Sequence, residues 1–211
     1  SYDAFQGLNR KIDKAELPIT EDSPLSSIKY YWKDFDTKGV LAEKYDKNLM
    51  TNILMRANRE VGLKVTVFRL SMIYGPGDHQ YPGRHGPIIR RIIDKRSDLV
   101  LSDIGQCQVY TYGYIENVAD AIVHSLGMNI TFGKIYNLGE QKARSRRRWV
   151  DVFAKVAGWK FNVHILPEEL VSKDSSCRNA PPRHLLTDSS LFCSETDFTY
   201  PIDLEEGVRR T

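Results

Sequence analysis

Neither a long apolar run nor a large excess of one charge occurs in this chain of 211 residues. No stretch approaches the roughly 18 consecutive apolar residues that a bilayer-spanning helix needs, so a membrane protein is not expected. The net charge is only +3 with both signs interspersed, which gives a general nucleic-acid role no electrostatic support. Cysteine is scarce: Cys107, Cys177 and Cys193 are far apart, and there is neither a Cys-x-x-Cys pair nor a paired-histidine spacing. No metal site is therefore assigned, and a reduced compartment is the default. The opening residues, SYDAFQGLNRK, lack the apolar core of a secretory signal, and no lipidation or transit pattern follows. A cytoplasmic location is the expectation.

What is present is ordinary globular composition, 41% hydrophobic and 27% charged, in a length that suits one α/β domain with or without a small appendage. The most informative stretch is VTVFRLSMIYGPGD, Val65–Asp78. Its β-branched and aromatic run suits a parallel strand covered on both faces, stopped by Gly75, Pro76 and Gly77. Ligands of open α/β sheets sit outside the carboxyl ends of the strands, so the Tyr74–Asp78 loop is the first place to look for one.

Around it, residues 1–34 carry little periodicity, and LPITEDSPLSS reads as a surface loop. A long helix is expected from about Asp36 to Glu60, with Leu41, Tyr45, Leu49, Ile53 and Ala57 at four-residue steps and Gly62 as its stop. PIIRRIIDKR reads as an amphipathic helix and LVLS as a strand. YTYGYIENVADAIVHSLG reads as a strand leading into a helix, KIYNLGE as a strand, SRRRWVDVFAKVAGW as a helix and FNVHILP as a strand. The segment from Ser172 onward reads as loop-rich. Arg144, Arg146, Arg147 and Arg148 are expected to form a solvated helix start. His124 and His164 fall within helix and strand patterns and are expected to be structural.

The ordered set RLSMIYGPGD, YGYIENVADAI, GKIYNLGE and the ending DSSLFCSETDFTYPIDLEEGVRRT resembles the extended short-chain dehydrogenase/reductase superfamily, in its NAD-dependent epimerase/dehydratase branch. The resemblance implies a partial Rossmann-like parallel sheet with helices on both faces, plus a smaller α/β substrate-binding lobe. The sheet core would take roughly residues 1–75 and 105–140, and the lobe 76–104 and 141–211. It also implies a small-molecule substrate, sugar-like or otherwise hydroxylated, hydride transfer with NAD or NADP, and, if the protein assembles, a homodimer. The family's Gly-x-x-Gly-x-x-Gly turn, where backbone amides and a helix dipole meet the cofactor pyrophosphate, is absent. Ser1 aligns with the family's catalytic Ser/Thr, so the sequence is expected to begin near the middle of a complete protein, and tight cofactor binding by these residues alone is not expected.

The resemblance further assigns Lys47, Tyr45 and Ser1 as catalytic residues, since Lys47 precedes Arg69 by the family's spacing of somewhat over twenty residues. Four residues before Lys47 stands Glu43, not tyrosine, and on a regular helix Tyr45 would lie on another face. A subgroup with Tyr-Asp-Lys at this place keeps Tyr45 open as the proton-transfer group. Lys47, Tyr74, Gly75 and Pro76 would border the cofactor. Met72, Arg84 and His85 are candidates for substrate contact, although Arg84 and His85 read more simply as loop residues. Met72 and Tyr110 replace an asparagine and an arginine common in nucleotide-sugar enzymes, and Asn117 is expected to cap the helix after it. A second reading is a non-catalytic cofactor-binding or regulatory module that retains the fold.

Overall fold

The computed structural model describes residues 17–26, 46–78, 85–171 and 184–211. Ser1, Glu43, Tyr45 and Arg84 lie outside them. The first described helix, α1 (Lys47–Val61), starts at Asp46, whose extended backbone (φ −145°, ψ 102°) and side-chain bond from Leu49 N–H (2.8 Å) make it the N-cap. The described helix begins at Lys47, because the extended Asp46 interrupts the continuous helix expected to Glu60; the upstream part of that expectation, from Asp36 to Tyr45, lies outside the described residues. At the other end Gly62 takes φ +70°, and Gly62 N–H and Leu63 N–H close back on Asn58 and Ala57 carbonyls, the arrangement glycine permits past a helix end.

After α1 come β1 (Thr66–Leu70) and β2 (Met72–Tyr74). The expected single strand is broken at Ser71, and the break changes its partner. β1 pairs in parallel with β6 (Lys134–Leu138), while β2 pairs in parallel with β5 (Tyr112–Tyr114). Ser71 N–H still donates to the Leu138 carbonyl (2.8 Å), and beyond it Glu140 N–H turns to the Tyr112 carbonyl (2.7 Å). β5 is therefore wedged between β2 and the tail of β6. Two glycines make the wedge sterically possible: a Cβ on Gly139 would lie 2.2 Å from Ser71 Oγ, and one on Gly113 would lie 2.9 Å from Val118 Cγ2.

The remaining elements follow the expected succession, with a short helix at 103–107 and a short strand at 144–145 in addition. They are α2 (Gly86–Ile93), β3 (Asp98–Ser102), α3 (Asp103–Cys107), β4 (Val109–Tyr110), α4 (Ile115–His124), β7 (Arg144–Ser145), α5 (Arg146–Val156) and β8 (Asn162–Leu166). β3 and β8 are parallel, and β4 and β7 antiparallel. Two short helices, α6 (Ser190–Thr196) and α7 (Leu204–Arg210), replace the expected C-terminal loop. They form because they close tertiary surfaces: Phe192 is fully buried against Phe68 and Tyr136, and Gly207 abuts the Tyr74 and Tyr114 rings. No described helix is long and apolar enough to cross a membrane.

Two apolar clusters result. One joins Tyr136, Leu138, Val118, Ala121, Phe192 and Phe198 around the β1–β6 pair. The other gathers Tyr74, Tyr112, Tyr114, Trp149, Phe153, Leu99 and Leu101 where β2, β3, β5 and α5 meet. Asn117 is not a cap. It is buried within α4, where its amide donates to the Ile202 carbonyl (2.7 Å) and accepts from Ile202 N–H (3.0 Å), pinning the approach to α7.

Candidate functional site

Residues 17–26, expected as a plain surface loop, are built into the carboxyl end of the sheet. Ile19 is fully buried and bridges to Thr187, with Ile19 N–H on the Leu186 carbonyl (2.7 Å) and Asp188 N–H on the Ile19 carbonyl (2.8 Å). Glu21 accepts from Asn137 N–H (2.7 Å), and the buried Arg69 reaches the Glu21 carbonyl (3.4 Å). Burial pushes the Glu21 carboxyl above its ordinary range and the Arg69 guanidinium below its own, each group's charge partly compensating the other.

This strap also locates Lys47. Asn48, its neighbour in the first turn of α1, donates to the Ser26 carbonyl (3.3 Å), so that turn stands beside the strap. The far end of α1 lies by the start of the sheet, where Asn58 faces Gly133 and Gly133 N–H bonds the Val65 carbonyl (2.7 Å). Half-buried Lys47 therefore sits at the end of the sheet towards which β1 and β2 run.

There the Tyr74–Asp78 loop begins. Gly75 has φ +139° and Gly77 φ +82°, backbone conformations that favour glycine, and a Cβ on Gly75 would strike Ile115 Cγ2 at 2.5 Å. Asp78 N–H closes the turn on the Gly75 carbonyl (3.2 Å), leaving Pro76 and Gly77 exposed. Tyr74 points the other way. Its ring is buried among His85, Tyr112, Tyr114 and Trp149, with centroids 5.1–6.2 Å away. Its hydroxyl donates to Glu140 Oε1 (2.7 Å), and the other carboxylate oxygen of Glu140 receives Arg144 (2.8 Å). Arg144 also donates to the Lys142 carbonyl and lies 6.0 Å over the Trp149 ring. Burial raises the Tyr74 phenol far above its usual range, and Glu140 beside it adds to the rise. Burial likewise raises the Glu140 carboxyl, opposed by Tyr74 and Arg144. Tyr74 is therefore held protonated, and only the backbone of this residue faces the loop surface.

The structure separates the other candidate residues. Met72 is half-buried and packs on the Tyr74–Trp149 cluster, opposite Tyr112 in the ladder. His85 is no surface loop residue: it is 4% exposed, stacked on Trp149 at 4.5 Å and flanked by Tyr112 and Phe153. Of the four arginines around the start of α5, Arg147 pairs with Asp151 on the surface, whereas Arg144 is turned inward on Glu140. His164 pairs with exposed Asp98, and His124 meets the Thr196 carbonyl. Glu140 was not singled out in the sequence. Its signal was the glycine before it, which brings the end of β6 against Ser71.

Residues 42–139 match the NAD dependent epimerase/dehydratase family. No curated protein matches the chain. Among solved structures, RMD from Pseudomonas aeruginosa complexed with NADPH aligns with 100% of this chain and 62% of its own, at 15% identity and a TM-score of 0.68. dTDP-glucose 4,6-dehydratase from Bacillus anthracis in complex with NAD aligns with 99% of this chain and 57% of its own (17% identity, TM-score 0.65). UDP-glucose 4-epimerase from Thermotoga maritima with UDP-glucose aligns with 78% and 50% (20% identity, TM-score 0.63). The chain thus spans about half to three fifths of the structures it resembles, and the fold it shares with them is of the Rossmann type.

Proposed function

We propose that this chain, which carries the NAD-dependent epimerase/dehydratase pattern over residues 42–139, contributes the nicotinamide and substrate side of an NAD(P)-dependent enzyme acting on a sugar-like or small hydroxylated substrate. What supports this most is one juxtaposition: Lys47 in the first turn of α1 and the exposed Pro76–Gly77 turn share the carboxyl end of the sheet. The glycine turn fits a flat ring laid against backbone, since Gly77 has nothing within 4 Å of its would-be Cβ. No glycine-rich turn for a pyrophosphate occurs among the 211 residues, so the fit extends to the nicotinamide end alone.

A nicotinamide bound there would supply the hydride acceptor and donor. Lys47 would orient the ribose and lower the pKa of a neighbouring hydroxyl by its charge. Tyr45, one residue before the N-cap, is the proposed proton-transfer group. Because Asp46 is extended, regular helical spacing does not run across it to Lys47, so the spacing argument against Tyr45 does not apply. Ser1 is proposed as a hydrogen-bond partner of the substrate. The alternative, a module that kept the fold without the chemistry, draws on the absence of tyrosine four residues before Lys47.

The test is a titration with NADH and NADPH read by hydrogen exchange. Millimolar cofactor, about −4 kcal/mol of binding, should protect the amides of Tyr74, Gly75, Gly77 and Asp78 in the wild-type chain and not in Lys47→Ala. Absence of protection in the wild type overturns the proposal. Protection that is retained in Lys47→Ala would favour the non-catalytic module.

A further inference from the structure

We propose that Glu140 is a positioning residue: by holding the Tyr74 hydroxyl on one carboxylate oxygen and Arg144 on the other, it fixes the Tyr74–Asp78 loop as a rigid wall of the crevice. This rests on the reading that the loop borders a nicotinamide. Three chain segments with no regular ladder between them converge on the carboxylate. They are the end of β2 through Tyr74, the tail of β6 through Glu140 itself, and β7 through Arg144. Glu140 is anchored independently of both partners, by its N–H on the Tyr112 carbonyl (2.7 Å) and by Gly139 against Ser71. It can therefore transmit the position of the sheet to a side chain that would otherwise turn.

Tyr74 in turn is boxed so that it has one stable orientation. Gly207 of α7 would set a Cβ 3.0 Å from the Tyr74 hydroxyl and 3.1 Å from the Tyr114 ring, so the absence of a side chain there is what admits both rings. The ring and hydroxyl bury the first residue of the loop completely, and Gly75 and Gly77 follow in conformations that have little stiffness of their own. The order of the turn comes from its anchor. Two consequences follow: the Tyr74 hydroxyl is not available for proton transfer, and the loop should loosen when the Tyr74–Glu140 bond is lost.

Hydrogen exchange at Gly75, Gly77 and Asp78 measures this in wild type, Tyr74→Phe, Glu140→Ala, Glu140→Gln and the Tyr74→Phe/Glu140→Ala double variant, with circular dichroism confirming each fold. The single variants Tyr74→Phe and Glu140→Ala should exchange about tenfold faster at these amides, with the β3–β8 pair unchanged, and the double variant should be no faster than the faster single one. Glu140→Gln keeps an acceptor for the phenol and should restore part of the protection lost in Glu140→Ala. Exchange equal to wild type in Tyr74→Phe, or effects that multiply in the double variant, would overturn the role of Glu140. If Glu140→Ala does not fold, Tyr74→Phe and Glu140→Gln decide alone. NADH added to the wild type separates the two ideas: no protection by cofactor, with accelerated exchange in Tyr74→Phe, removes the nicotinamide reading and leaves the positioning role standing.

Discussion

Replacing Asn117 by aspartate should destabilise this protein at neutral pH, although aspartate is nearly the same size and lies in the first turn of α4. Asn117 is 2% exposed and makes two bonds to one residue, donating to the Ile202 carbonyl at 2.7 Å and accepting from Ile202 N–H at 3.0 Å. Aspartate keeps the acceptor but turns the donor into a second oxygen facing a carbonyl. The loss of the bond is worth roughly 1 kcal/mol, and leaving a buried carbonyl unpaired against a charged oxygen adds about 1–3 kcal/mol. An acidic group near a helix N-terminus gains only about 0.3–1 kcal/mol from the dipole. The balance is a loss of about 1–4 kcal/mol, or roughly 2–16 °C in Tm for a chain of this size. Protonation restores a donor, so the folded-state pKa of Asp at this place is raised above its unfolded value. The stability is then present below the unfolded pKa and lost as pH rises through the folded one. Urea unfolding at pH 7.5 and pH 5 should show the deficit at the higher pH and its partial recovery at the lower. A variant as stable as wild type at pH 7.5 would refute the pin.

Gly139→Ala should cost about 1–3 kcal/mol, because its Cβ would sit 2.2 Å from Ser71 Oγ and 2.8 Å from Ser71 Cβ; adding Ser71→Gly should recover most of that, as read by denaturant midpoints. Glu140→Gln should flatten the pH dependence of stability. Burial holds the Glu140 carboxyl above its unfolded value, so its contribution is full below that value and falls as pH rises through the raised one, and unfolding midpoints across pH 4–7 should lose part of their downward slope. Gly75→Ala should lower Tm and weaken any NADH protection of residues 74–78, since the added Cβ meets Ile115 Cγ2 at 2.5 Å at φ +139°. In a chain extended to include a glycine-rich turn, Tyr45→Phe should leave NADH binding intact while removing turnover, as read by calorimetry and by nicotinamide absorbance.

The legibility of the site followed the range of the interactions. The strand ending in Gly-Pro-Gly was legible because an apolar run and a glycine turn are local, and so was the loop at its end. The start of α1 was not. Four-residue apolar steps run through Leu41 and Tyr45 as smoothly as through Leu49 and Ile53, whereas Asp46, a capping residue by type, decides where the helix begins.

Sequence alone determined the α/β succession, the carboxyl-end loop and the family resemblance, because periodicity, turn glycines and motif order are properties of contiguous residues. Tertiary structure decided the rest. The strand splits at Ser71 because β6 and β5 compete for its two halves, and α6 and α7 exist to cover Phe68 and Tyr74. His85 turned from a loop residue into a core one because three aromatic rings from β5 and α5 close on it. Glu140 holds Tyr74, 66 residues away in sequence, and no local pattern encodes a hydrogen bond across that distance.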